Sequence, residues 1–426
     1  MSKNKTCEFG ASLQGFYKLS VIDPTTNEVK WESDWNKNLI LNQGMNNIAI
    51  GRICDSTLYG VAGTGSRPNS ISGALSTITQ SGATIRLLPL SGGLLAFTSS
   101  YSTYTTSVNV GDVIQDSDFS ESMVTAVNAN GINLTVTPSY TYSNEKTFVI
   151  WKTSQVGLEA EITRSSTYVP GIGNCGTTSG SFTPHILEHK RTYDFAPEVA
   201  NRAYTEVGTA WASSGNTTVF SRMALPTTVV VSASYQLRVV YNLQATMSPY
   251  SASYFTASIS GWPHLLGSAS ATIATQSIQC LMYSLVSTTG ATSSTNGNET
   301  LEPYAIGGGN PYKFIIFASS DSQSLAPYGQ AVVRSSNVVY ANNTTLATYV
   351  TNSFYVDKST VFTESDINIG NIRSIGVGAW NIGFPDTPPN GTSWQAFCVV
   401  FNEPQMKLNT QTLTITFRQS WRRTLA

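Results

Sequence analysis

Three histidines, His185, His189 and His264, and 25 acidic residues are the groups best suited to catalysis or metal binding in this chain. His185 and His189 stand four apart, which on a helix would put two metal ligands on one face. Pro184 and the apolar Ile186-Leu187 suit a strand better, where positions four apart lie about 13 Å from each other, too far to share a metal. Asp112, Asp116, Asp118 and Glu121 crowd one stretch, but the glycine and terminal glutamate of a calcium-binding EF-hand loop are missing. The glycine-rich run Gly63-Thr64-Gly65-Ser66-Arg67-Pro68 matches neither the P-loop nor the dinucleotide pattern. No Gly-x-Ser-x-Gly elbow occurs. A carboxylate pair for glycoside hydrolysis needs no closeness in sequence, so a glycan-degrading enzyme stays as a minor alternative. The expectation is a protein that is not an enzyme and uses neither cofactor nor metal.

Recognition chemistry has better material. The chain holds 20 tyrosines and 8 tryptophans, and on loops these rings supply flat, amphipathic contact area. Trp262, beside Pro263, and Tyr312, after Gly307-Gly308-Gly309-Asn310-Pro311, are the candidate binding residues for a sugar or a protein surface. Packing in a core or at a corner is the other reading of both. Arg422 and Arg423 form a short basic end; two arginines and a net charge of −1 make no nucleic-acid site.

The elements that must position these groups are strands. Charged residues make up 12% of the chain, against about 25% in ordinary soluble domains. Ser, Thr, Asn and Gly replace the residues that usually cover helix surfaces. Tyr17, Leu19 and Val21 alternate with polar neighbours, Asp23 to Asn27 supply turn chemistry, and Val29 and Trp31 alternate again: a hairpin with one buried face. The spacing of Leu41, Met45, Ile48 and Ala49 predicts one helix over 39–50, weakened by Gly44. Residues 94–152 read as a small β-barrel or sandwich insert, with Asn130-Gly131 as a hairpin signal. No apolar run reaches the length of a membrane helix, and the amino-terminal residues lack the apolar core of a signal peptide. The five cysteines are odd in number and form no Cys-x-x-Cys pair, which suits reduced thiols in a chain made in the cytoplasm.

An internal echo organises the rest. Residues 190–211 and 358–380 both open on Lys-x-Thr and end in Gly then Ala-Trp, pairing Lys190 with Lys358, Thr192 with Thr360, Gly208 with Gly376 and Trp211 with Trp380. Strands then follow in each, with Leu237, Val239 and Tyr241 in one and Leu413, Ile415 and Phe417 in the other. The expectation is an all-β chain of two tandem related antiparallel, jelly-roll-like β-sandwich domains, 1–250 and 251–426, the first interrupted by the insert at 94–152.

Several stretches, in order, resemble a group of tailed-bacteriophage virion proteins of tail or tail-fibre type. They are Asn38-Leu39-Ile40-Leu41-Asn42-Gln43-Gly44, the Gly63–Pro68 loop, Tyr204-Thr205-Glu206-Val207-Gly208, Phe220-Ser221-Arg222, Gln236 to Tyr241 and Leu413 to Arg418. The resemblance touches residues 1–90, 155–247 and 357–422, and its motifs are turns and strands that locate no active site. It implies a virion component, assembled in the bacterial cytoplasm as a homo-oligomer with other virion proteins. A tail, neck or tail-fibre/adaptor subunit with a share in host attachment is the leading expectation. A capsid decoration or head-fibre protein and a carbohydrate (receptor)-binding module are the alternatives. Copies of itself, other virion proteins and a host glycan or receptor are the expected partners, with no nucleic acid and no membrane insertion.

Overall fold

The computed structural model describes residues 7–50, 57–74, 79–81, 84–86, 108–116, 121–127, 133–137, 147–166, 176–177, 185–247, 256–259, 269–273, 312–319, 338–341, 345–346, 348–366, 371–381 and 393–425. They form an all-β structure of four sheets with one short α-helix among the described residues. Strands are numbered in chain order.

The largest sheet has ten strands. Its path runs β14 (Gly176–Thr177), β15 (His185–Asp194), β18 (Gln236–Met247), β1 (Cys7–Ile22), β27 (Leu413–Arg423), β24 (Tyr355–Phe362) and β23 (Thr345–Leu346). Off that path, β2 (Val29–Glu32) and β3 (Asn36–Lys37) pair with β1, and β19 (Thr256–Ile259) pairs with β27. A five-stranded sheet runs β13 (Glu161–Ser165), β5 (Tyr59–Gly63), β16 (Arg202–Ala210), β17 (Val219–Val231) and β4 (Leu39–Ile40). Another runs β20 (Ala269–Ile273), β26 (Ser393–Met406), β25 (Asn371–Asn381), β21 (Tyr312–Ser319) and β22 (Val338–Ala341). The seven-stranded sheet runs β6 (Ser70–Ala74), β12 (Thr147–Trp151), β9 (Val113–Asp116), β10 (Glu121–Val127), β11 (Asn133–Thr137), β8 (Thr84–Arg86) and β7 (Thr79–Ser81). This last sheet begins at Ser70, earlier than the 94 expected for the inserted unit. Asn130-Gly131 lies outside the described residues, although the strands flanking it pair antiparallel, Val127 opposite Leu134.

The strand pairings repeat. In the first series β1 pairs with β18, β4 with β17, β5 with β16, β13 with β5, β14 with β15, β15 with β18 and β16 with β17. In the second, β19 pairs with β27, β20 with β26, β21 with β25, β22 with β21, β23 with β24, β24 with β27 and β25 with β26. The nine strands of one series thus correspond in chain order to the nine of the other. The echoed Lys190 and Thr192 fall on β15, and Lys358 and Thr360 on its counterpart β24. One parallel pairing joins the series: Cys7–Leu13 of β1 runs beside Phe417–Arg423 of β27.

The core of the first series lies between the ten-stranded sheet and the sheet holding β16 and β17. Alternation on β1 and β18 aims Tyr17, Leu19, Leu237, Val239 and Tyr241 inward, all fully or almost fully buried. The Tyr17 hydroxyl crosses the gap to Ser221 Oγ at 2.7 Å, and the Tyr17 and Tyr241 rings stand 4.8 Å apart. The first hairpin forms as expected, its turn held by Asp23 Oδ1 accepting from Thr25 N at 2.9 Å. Its second strand departs from expectation. Val29 and Trp31 are 51% and 40% exposed, although Trp31 pairs opposite the buried Val21. The predicted helix over 39–50 is also corrected. Leu39–Ile40 is strand β4, and helix α1 (Asn42–Ile50) starts after it. Leu41, Met45 and Ile48 are buried as the spacing implied. Gly44 is there for contact: a Cβ on it would stand 2.2 Å from the Phe220 carbonyl oxygen, so its absence lets α1 lie against the β17 backbone.

Candidate functional site

Three of the six stretches that carried the resemblance, the Gly63–Pro68 loop, Tyr204–Gly208 and Phe220–Arg222, meet in one place. Glu206 on β16 faces the Gly63–Pro68 loop, and both it and Arg222 of β17 are fully buried. Glu206 accepts from Arg222 Nε at 2.9 Å and from the backbone N–H groups of Gly65, Glu159 and Ala160 at 3.0, 3.0 and 2.7 Å. Arg222 donates its other hydrogens to Gln155 Oε1 at 2.9 Å, Asn69 Oδ1 at 3.2 Å and the Arg67 carbonyl at 2.7 Å. A buried ion pair survives only with this completeness of hydrogen bonding. Glu159 accepts from Ser66 N and Arg67 N at 2.7 and 2.8 Å. Successive backbone N–H groups in such a loop form an anion cradle. Here the anions are the chain's own carboxylates. The structure fills the site that a glycine-rich loop would otherwise offer to phosphate.

Of the acidic stretch, Asp118 lies outside the described residues and Asp112 is similarly engaged. Asp112 is buried against Lys152 and accepts from Asn109 N at 2.9 Å and from Ser154 Oγ at 2.5 Å. Among the described residues no cluster of metal-ligating side chains is found. His185 and His189 lie on β15, the strand their surroundings suggested. Trp262 and His264 lie outside the described residues. Tyr312 opens strand β21, with its backbone opposite Asn381, rather than sitting on a loop.

The carboxyl-terminal end plugs into α1. Trp421 donates its indole N–H to the Met45 carbonyl at 2.8 Å and stacks near the Tyr349 ring, 5.8 Å between centroids. Arg423 is buried, donates to the Ile40 carbonyl at 2.7 Å and to Asn42 Oδ1, and lies 5.4 Å from the centre of the Phe354 ring. Burial, partly offset by Glu121, pulls its guanidinium down to about 9.

Beside this plug opens a cleft of about 820 Å³, where α1, the turn before β9, strand β10, the loop after β12 and the 352–354 loop meet. Five carboxamides line it: Asn42, Gln43, Asn46, Gln155 and Asn352. Several are fixed by the fold. Asn42 donates to the Gly111 carbonyl at 2.7 Å, and Gln43 to the Val219 carbonyl at 2.7 Å. Asn46 exchanges hydrogen bonds with Asn352 and accepts from Tyr349 at 2.6 Å. Asn352 and Phe354 both hold left-handed backbone, φ 65° and 55°, a strain that persists only where neighbours over-determine it. Sequence reasoning missed this cleft. A signal existed, since Asn42 and Asn46 share a helix face beside the apolar stripe; nothing in the sequence placed the 352–354 loop against it.

No known protein family, no curated protein and no solved structure matches the chain.

Proposed function

We propose that this chain is a structural subunit of a bacteriophage virion, of tail, neck or tail-fibre/adaptor type, that assembles with copies of itself and contributes to host attachment. The observation that carries the reading is the convergence of three of the six resembling stretches on Glu206 and Arg222. Their charges are spent on each other, on the backbone of Gly65, Arg67, Glu159 and Ala160, and on the Asn69 and Gln155 carboxamides. That is the chemistry of a durable framework rather than of turnover, in which reactive groups need room for substrate. The repeated nine-strand series supports a further part of the proposal, two related jelly-roll-like sandwiches with the seven-stranded sheet inserted in the first. Val29, Trp31 and Trp35 stand exposed on one hairpin arm, an apolar surface of the kind that marks contacts with partners.

Cryo-electron microscopy of purified particles tests this reading. Density for the chain in a symmetric ring or fibre at the tail or neck is the expected result. Density on the capsid shell would replace it with the decoration or head-fibre alternative, and absence from particles would remove the virion reading altogether.

A further inference from the structure

We propose that the cleft beside α1 binds a neutral, hydroxyl-rich ligand of the oligosaccharide class. This goes beyond the virion reading and does not depend on it, since the binding belongs to the purified chain. Its volume of about 820 Å³ falls within the range of roughly 300–1,000 Å³ typical of small-ligand sites.

The lining chemistry selects the ligand. None of the side chains lining the cleft is ionisable. A charged ligand would lose hydration there and find no opposite charge in the lining itself; the nearest cation, Arg423, sits buried behind Asn42 and Phe354 and donates to Asn42. Carboxamides, in contrast, each present a donor and an acceptor a short distance apart, which suits neighbouring hydroxyls on a sugar ring. Asn42 and Asn46 are engaged at both ends of the amide, whereas Gln43, Gln155 and Asn352 are held through one half with the other half left over. Gln43 Oε1, Gln155 Nε2 and Asn352 Nδ2 make no hydrogen bond among the described residues, while the opposite atom of each is engaged. Ser154 and Ser353 add hydroxyls to the lining.

The apolar surface fits as well. Val110 and Val156, 59% and 54% exposed, belong to the same lining, and Phe354 contributes an aromatic ring. Arg423 covers one face of that ring, so a ligand meets the other face or the edge, where sugar C–H groups pack favourably. An extended peptide would seek an open strand edge, and β10, the strand that lines the cleft, is already paired on both sides by β9 and β11.

The test is saturation-transfer NMR on the purified full chain. The probes are neutral oligosaccharides built from glucose, galactose, mannose and N-acetylglucosamine, with sialylated and uronate-containing oligosaccharides as charged comparisons. At least one neutral oligosaccharide binds, and the charged set does not bind in preference. Val156→Trp, which fills the cleft from an exposed position, weakens that binding by about tenfold or more, a change of about 1.4 kcal/mol, with an unchanged melting temperature. Asn352→Asp is the second variant; aspartate tolerates the left-handed backbone but lacks the amide donor, and it weakens binding as well. Val361→Ala, on β24 outside the cleft, leaves binding unchanged. Silence from every neutral probe, preference for charged probes, or full binding by both cleft variants would overturn the proposal. A chain absent from particles that still binds a neutral glycan would remove the virion reading alone.

Discussion

At the residue scale, the chain places its strongest polar groups where they hold backbone. Arg222 and Glu206 are both fully buried, and removing one partner of such a pair leaves an uncompensated charge. Arg222→Ala is therefore expected to cost about 3–5 kcal/mol in denaturant unfolding, and the double variant Glu206→Gln with Arg222→Met much less. Equal losses in the two would mean that packing, rather than charge, dominates the site. Glu159 gives a pH test of the same loop. Burial pushes its carboxyl up, but the N–H groups of Arg67 and Ser66 and the Arg67 charge outweigh that and hold it below its ordinary value of 4.5. The folded state thus favours the carboxylate. Its stabilising share is complete above the ordinary value and is lost as pH falls through the lowered one. The protection of the Ser66 and Arg67 amides, relative to their intrinsic exchange rates, should fall in that acid window in the parent and show no such step in Glu159→Gln. Both glutamates and Arg222 stood in the sequence, Glu206 and Arg222 within short motifs. Their common destination was not legible, because a buried pair leaves no periodic trace and its partners lie on separate strands.

At the element scale, burial pattern and contact decide more than propensity. Alternation marked β1, β18 and β27 correctly, since each has one face on a core. The same alternation misled at Val29 and Trp31, because a period of two states which side chains share a face and not whether that face is covered. The helix was legible from Leu41, Met45 and Ile48, but its start was not: Leu39 and Ile40 are equally apolar and pair with β17 instead. Gly44 offers the clearest test. In an exposed helix, Gly→Ala would gain about 1 kcal/mol. Here the added methyl would meet the Phe220 carbonyl oxygen at 2.2 Å, and overpacking of that kind costs about 1–3 kcal/mol. Gly44→Ala is expected to lower the melting temperature. A rise would show that α1 can shift away from β17 at little cost.

At the scale of the whole molecule, the echo between residues 190–211 and 358–380 pointed to repetition, and the strand pairings repeat in the same order. What the echo could not convey is the joint. Cys7–Leu13 and Phe417–Arg423 run side by side from opposite ends of the chain, and parallel neighbours so distant leave no local signal such as a turn. The joint makes the first series depend on the last strand. Without residues 251–426, β1 loses its β27 neighbour, α1 loses the Trp421 indole on the Met45 carbonyl, and Asn42 loses Arg423. Truncating a large buried aromatic alone costs about 3–5 kcal/mol, and Trp421 is 4% exposed. A fragment of residues 1–250 is therefore expected to keep its strand content by circular dichroism, because β15 to β18 and the sheet of β16 and β17 remain complete. Its melting temperature should fall, and amides of α1 should lose protection from hydrogen exchange ahead of those in β16 and β17. The 352–354 wall of the cleft leaves with the same segment, so the fragment should also lose whatever the cleft binds. If α1 in the fragment is protected as well as in the full chain, the two series are energetically independent and the parallel pair is only a contact between finished units.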